Sequence, residues 1–147
     1  MQTKASAALV VLSWLACQSS WAQSEGLDLQ VQVQGAQPSV GQIILSLFDS
    51  PENYLSEPIV ELIQRVDENG GAAFVLENLP VATYAISAVY DEDSDGELDT
   101  GFLGIPTEKV GMSNNAKSTF GPPSFEKAAF HLSESATISI NLGNAKD

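Results

Sequence analysis

Cysteine and tryptophan disappear from this chain once its first 22 residues are set aside. Cys17 is the only cysteine, and Trp14 and Trp21 are the only tryptophans. The remaining 125 residues (147 − 22) have no disulfide, no thiol nucleophile and no cysteine-based metal site. They also lack an indole platform for a sugar ring. Histidine is reduced to His131, too little for a zinc site of the usual kind. That residue alternates with Phe130 and Leu132 and reads as a surface position on a short strand. Basic residues are scarce as well: six Lys/Arg against 19 Asp/Glu leave a net charge of −13. Nucleic acid and anionic membrane surfaces need clustered Lys/Arg, so neither is an expected partner. No Gly-x-Ser-x-Gly elbow is present, and no glycine loop with a lysine to cradle phosphate.

The start of the chain has the layout of a removable export signal. Lys4 supplies the positive end, residues 5–16 are uncharged and mostly apolar, and Ser20 and Ala22 are the small residues before a cut at Gln23. The apolar run is shorter than the roughly 20 residues a membrane-spanning helix requires, and no later segment supplies one. The expected organisation is a signal peptide over 1–22 and one domain over 23–147, placed in the periplasm or secreted. Loss of Lys4 takes the net charge from −13 to −14. The alternative is a lipoprotein anchored at Cys17, because Trp14-Leu15-Ala16-Cys17 approaches a lipidation motif.

The rest of the chain alternates with period two. Leu27, Leu29, Val31 and Val33 are interleaved with Asp28 and three glutamines, the pattern of a half-buried strand. Residues 43–48 are nearly all apolar, as in a central strand. Residues 59–66 fit helical spacing, with Ser56 as a cap, yet their β-branched content and the nearby Asn69-Gly70 favour a strand. That dipeptide predicts a tight hairpin returning through residues 73–76. Residues 83–90 place Tyr84, Ile86, Ala88 and Tyr90 on one face, and strands over 130–132 and 136–142 complete a set of seven. The expected class is all-β, a two-sheet sandwich with no long helix. One connection, 91–125, exceeds the usual loop length and carries Phe102, Leu103, Ile105, Phe120 and Phe125. It is expected to be an ordered excursion that packs on the sandwich.

Six of the 19 acids crowd into residues 91–99. Asp91, Asp93 and Asp95 with Gly96 form the front half of a calcium loop, where hard oxygens converge on one ion. The carbonyl of Glu97 and the side chain of Asp99 extend the ligand set. Phe102 stands where a bidentate glutamate would close it, so Glu108 is the candidate for the missing ligand. The competing reading of the same acids is a solvated turn, or a hydrolase working through loop carboxylates such as Asp95 or Glu108. The expectation is a non-catalytic protein that is not an enzyme, with Ca²⁺ as its only cofactor. Its expected partner is a protein or cell-envelope ligand of unknown identity, and its oligomeric state is open.

Several motifs together resemble a bacterial family of small exported proteins catalogued as domain of unknown function 2141. They are Gly41-Gln42-Ile43, Leu47-Phe48-Asp49, Leu79-Pro80, Thr83-Tyr84, the 91–99 run, Gly104-Ile105-Pro106-Thr107-Glu108, Ser113-Asn114-Asn115 and Gly121-Pro122-Pro123-Ser124-Phe125-Glu126. The resemblance implies a seven-stranded immunoglobulin- or prealbumin-like sandwich with one long ordered loop insertion, and no established activity. Tyr90 stands where the family commonly has histidine, and Ala82 where it has glycine. The central portion is also similar to collagen-adhesin B-type and carboxypeptidase-regulatory-like repeats, a likeness of fold alone. The intact mass of the exported product should match a chain starting at Gln23. A product starting at a lipid-modified Cys17 would replace the soluble assignment with an anchored one.

Overall fold

Alternation becomes a two-layer sandwich in the computed structural model, which describes residues 26–145. The signal segment, with Lys4, Cys17 and both tryptophans, lies outside the described residues. Strand β1 (Leu27–Gln34) buries Leu29, Val31 and Val33 and turns its glutamines outward. It is the middle strand of a three-stranded sheet. On one side runs β4 (Gly71–Leu79), antiparallel, and on the other β8 (Ala136–Asn141), parallel. The facing sheet is built on β2 (Gln42–Phe48) and β5 (Ala82–Asp91), with β3 (Val60–Arg65) at its outer edge beside β2. The far edge of β5 is shared by two short strands. β7 (Phe130–Leu132) pairs with its beginning and β6 (Val110–Met112) with its later half.

The inner faces of both sheets make the main core, including Leu29, Val31, Phe74, Leu45, Ile86 and Ile140. Tyr84 and Tyr90 lie in it as the alternation requires, and the Tyr84 hydroxyl donates back to the Pro80 carbonyl at 2.9 Å. β2 and β5 are apolar on their outer face too. Phe48 and Ala85 are covered there by Tyr54, Met112, Phe125 and Ala128. This second cluster explains why residues 43–48 read as a continuous apolar run rather than as an alternating one.

Three sequence expectations change. Among the described residues the strands number eight rather than seven, because the 91–125 connection contains β6. Three residues are too few to show a period, and β6 exists because β5 offers it an open edge. Residues 60–65 form a strand, but Asn69-Gly70 does not turn it into a hairpin: β3 and β4 belong to different sheets. The dipeptide sets the local curl, while the buried faces choose the partners. The Asp67 carboxylate accepts the N–H groups of Asn69 and Gly71, and the Gly70 carbonyl accepts those of Gly35 and Ala36. The turn is thereby tied to the corner after β1 and carries the chain across the sandwich. Finally, only Phe125 of the five apolar residues in the long connection packs inward. Phe102, Leu103 and Phe120 are 87%, 80% and 90% exposed, and Ile105 is 36% exposed.

The return of that connection is held by a polar knot. Ser113 is fully buried; its hydroxyl accepts the Ile86 N–H at 2.9 Å and donates to the Ala128 carbonyl at 2.6 Å. It thus joins β5 to the short helix α1 (Phe125–Ala128). Asn114 donates to the carbonyls of Lys127 and Ala129, and the Asn115 side-chain oxygen accepts the Asn141 N–H. Both asparagines take positive φ, which their short polar side chains tolerate. Ser113→Ala should leave a backbone donor and acceptor unpaired in the interior and cost about 1–3 kcal/mol. Urea denaturation checks this: the midpoint should fall with the slope unchanged.

Candidate metal centre

The last residue of β5 opens the acidic loop. Asp91 sits in register with Gln42, whose side-chain amide donates to Asp91 Oδ2 at 2.7 Å. Asp91 is fully buried. Its Oδ2 also accepts the Gly96 N–H at 2.9 Å, and its Oδ1 accepts the Asp95 N–H at 3.2 Å. The loop repeats the device at smaller scale. Asp93 accepts the Asp95 N–H, and Asp95 accepts the Glu97 N–H at 2.9 Å. These aspartate-capped turns are what a short carboxylate offers its own backbone two residues on. Two glycines make the path available. Gly96 takes φ +88°, and a Cβ on Gly41 would lie 2.4 Å from the Asp91 carbonyl oxygen.

The outcome is a triad. One carboxylate oxygen from each of Asp91, Asp93 and Asp95 lies within 4.8 Å of the others. Asp91 forms the buried floor, while Asp93 and Asp95 are exposed above it. Glu97 and Asp99 stand outside this group, exposed on the same loop. Glu108 is brought to the loop, but both its oxygens take backbone donors: Oε1 the Glu92 N–H at 3.0 Å and Oε2 the Asp99 N–H at 3.1 Å. Its place is that of a clamp across the ends of the loop. Gln42 and this clamping geometry were invisible in the sequence, since only strand register puts Gln42 beside Asp91.

The charges of the triad are unequal in cost. Burial alone would push the Asp91 carboxyl up, but Gln42 and the N–H groups of Gly96, Ser94 and Asp95 outweigh it and hold the carboxyl below the usual carboxylate range. Asp93 goes the other way. The Asp95 N–H lowers it, yet desolvation and the charges of Asp95, Asp99 and Asp91 together raise it above its ordinary value. Three hard oxygen donors in mutual repulsion, one of them pinned, form a group that can hold a metal ion.

A family model described as "Uncharacterized protein conserved in bacteria (DUF2141)" matches residues 31–140. The chain belongs to this family. The DUF2141 match begins inside β1 and ends inside β8, so it takes in the acidic loop, Glu108 and the Ser113 knot. The chain has no match among curated proteins and none among solved structures.

Two substitutions separate floor from rim in this DUF2141 chain without metal. Asp91→Asn places an amide against the donors of Gln42 and Gly96 and should lower stability by roughly 1–3 kcal/mol. Asp93→Asn relieves repulsion and should raise the melting temperature in chelator. The pH dependence has opposite signs at the two residues. The Asp91 carboxyl, depressed in the fold, contributes stability that is lost as pH falls below the ordinary carboxylate range of about 4. The Asp93 carboxyl, raised in the fold, costs stability as pH rises through its elevated value. Melting curves across acid pH should therefore show a shallower low-pH decline in Asp91→Asn and keep the parent's decline in Asp93→Asn.

Proposed function

We propose that this chain is an exported, non-catalytic β-sandwich of accessory or binding type, stabilised by Ca²⁺ at Asp91, Asp93 and Asp95. The observation that carries the reading is the triad itself, held at the end of a buried strand. Oxygens bound to one calcium ion lie about 2.4 Å from it, so opposite ligands are separated by roughly 4.8 Å. The three carboxylates already meet that limit. Calcium accepts six to eight oxygens in flexible geometry, whereas magnesium demands a near-ideal octahedron and keeps its waters, so a loop of several carboxylates favours calcium. The carbonyl of Glu97 and the carboxylate of Asp99 are the next donors along the loop.

A hydrolase using the same carboxylates is less well supported. Both oxygens of Glu108 are engaged by backbone, and the Asp91 carboxylate is buried beneath donors. A hollow of about 450 Å³ on the described surface is lined by Gln32, Gln34, Asp67 and Asn69, none of them part of the acidic loop.

Calcium that binds the folded chain and not the unfolded one stabilises it by about 2.7 kcal/mol at a hundred times the dissociation constant. The melting temperature should rise by several degrees with calcium and by less with magnesium. Asp93→Ala or Asp95→Ala should erase most of the shift while leaving the strands intact. Calorimetric titration of the chelator-treated protein is the direct measurement. No heat at millimolar calcium, with an unmoved melting curve, would leave the acidic run a solvated turn.

A further inference from the structure

β3 is an edge strand, paired with β2 on one side and with nothing among the described residues on the other. One bond tells which residues face the open side. The Val66 N–H donates to the Gly41 carbonyl at 3.2 Å, continuing the β2–β3 register by one residue. An antiparallel ladder alternates, so Val60, Leu62 and Gln64 turn their backbone groups to β2, and Glu61, Ile63 and Arg65 turn theirs outward. The side chains of these last three share one face of the sheet, beside Ser46, Ile44 and Gln42. All three are exposed, Ile63 at 51%. Edges are commonly protected by lysine, proline or a bulge. β3 holds neither lysine nor proline, and its register with β2 is unbroken over six residues. Along the open edge the order is acid, apolar, base. Arg65 is the chain's only arginine, and among the described residues no side chain engages its guanidinium. Glu61 is steadied by the Ser46 hydroxyl, which donates to its Oε2 at 3.3 Å.

We propose that β3 joins β3 of a second copy of this chain, antiparallel about a two-fold axis at Ile63, so that two five-stranded sheets become one. Charge selects this register. Centred on Ile63, Glu61 of each copy stands opposite Arg65 of the other, and the two Ile63 side chains meet between these pairs. The backbones of the same residues bond across the axis, because all three face outward. Centred on Glu61 or on Arg65, like charge meets like. Centred on Gln64, Glu61 meets Asp67, and centred on Leu62 both charges meet only isoleucine. The edges of the other sheet lack this property: β4 carries Glu77 as its only charge, and β8 carries none. The negative charge of each copy stands away from the contact. The acidic loop hangs from β5, two strands in from β3. Five strand spacings, about 24 Å, therefore part the two loops, and the two-fold sets them at opposite ends. Screening at physiological salt acts over about 8 Å, a third of that distance. Six residues a side make a narrow contact, so the dimer is of the weak, concentration-dependent class. It uses none of the loop carboxylates and does not rest on the calcium reading.

The experiment is sedimentation in chelator at physiological salt, over rising concentrations of the chain from Gln23 onward, which carries every described strand. The parent should pass from monomer to dimer. Glu61→Arg alone and Arg65→Glu alone should each weaken dimerisation by roughly tenfold or more, since both opposite pairs become like pairs. Mixed in equal amounts, these two variants should dimerise again, because each cross-strand pair of the mixed dimer is one acid and one base. A misfolded variant could not give that recovery. Glu61→Arg combined with Arg65→Glu in one chain should match the parent. A parent that stays monomeric to millimolar concentration, a single variant that dimerises as the parent does, or a mixture that stays monomeric would overturn the proposal. Calcium is absent throughout, so a failure here leaves the metal site standing, and a failed calcium titration leaves the dimer standing.

Discussion

β5 is buried on both faces and open along one edge, and the rest of the molecule answers to that constraint. Its inner face, with Tyr84, Ile86, Ala88 and Tyr90, closes the main core against the three-stranded sheet. Its outer face leaves Ala85 beside Phe48 with no third sheet to cover them. The long connection supplies the cover, bringing Met112, Phe125 and Ala128 back over that surface. The same connection, with the strand that follows it, fills the open edge, β6 along one stretch of β5 and β7 along another. A loop would ordinarily leave such backbone groups to water. Here a strand of ten residues pairs with β2 along one edge and needs both short strands along the other.

The acidic loop is a second consequence, because it hangs from the end of β5. Burial of Asp91 in register with Gln42 fixes where the loop begins, and Glu108 fixes where it closes. Between those anchors, three carboxylates are forced together by backbone turns that each aspartate itself caps. Gln42 and several backbone donors compensate the buried charge, whereas each of the two exposed ones accepts a single backbone N–H. The loop is stable in shape and unfavourable in charge at the same time, which is the condition under which a cation lowers the free energy most.

Periodicity made the class and the cores of β1, β5 and β8 readable from the residues alone, and the spacing of Asp91, Asp93 and Asp95 marked the three carboxylates that the loop brings together. What escaped was everything decided by distant chain. Asn69-Gly70 signals a turn but carries no information about which sheet the next strand joins. β6 is shorter than one repeat of its own pattern. Glu108 looks like a ligand in sequence, while in space its carboxylate accepts two backbone donors that tie the ends of the loop together. The aromatic residues of the connection looked alike as candidates for packing. Only Phe125 follows the Pro122-Pro123 pair into the helix that covers β5, whereas Phe102 and Phe120 sit on tight turns that face outward. Ser113-Asn114-Asn115 was noticeable as a motif, and its meaning became visible only as three sets of hydrogen bonds to three different elements.

The parallel pairing of β1 with β8 has a bearing on how the chain folds. These strands stand side by side although Asp28 and Ser135, bonded at their start, are 107 residues apart. β1 can find β4 early, but two strands alone are marginal in water. The three-stranded sheet acquires its third member only when the final strand arrives. A chain emerging from a narrow opening with its first strand leading therefore waits, with one apolar face uncovered, until almost all of it is out. Closure of that ring of contacts is a high-order step, slow by the entropy of the loop it completes.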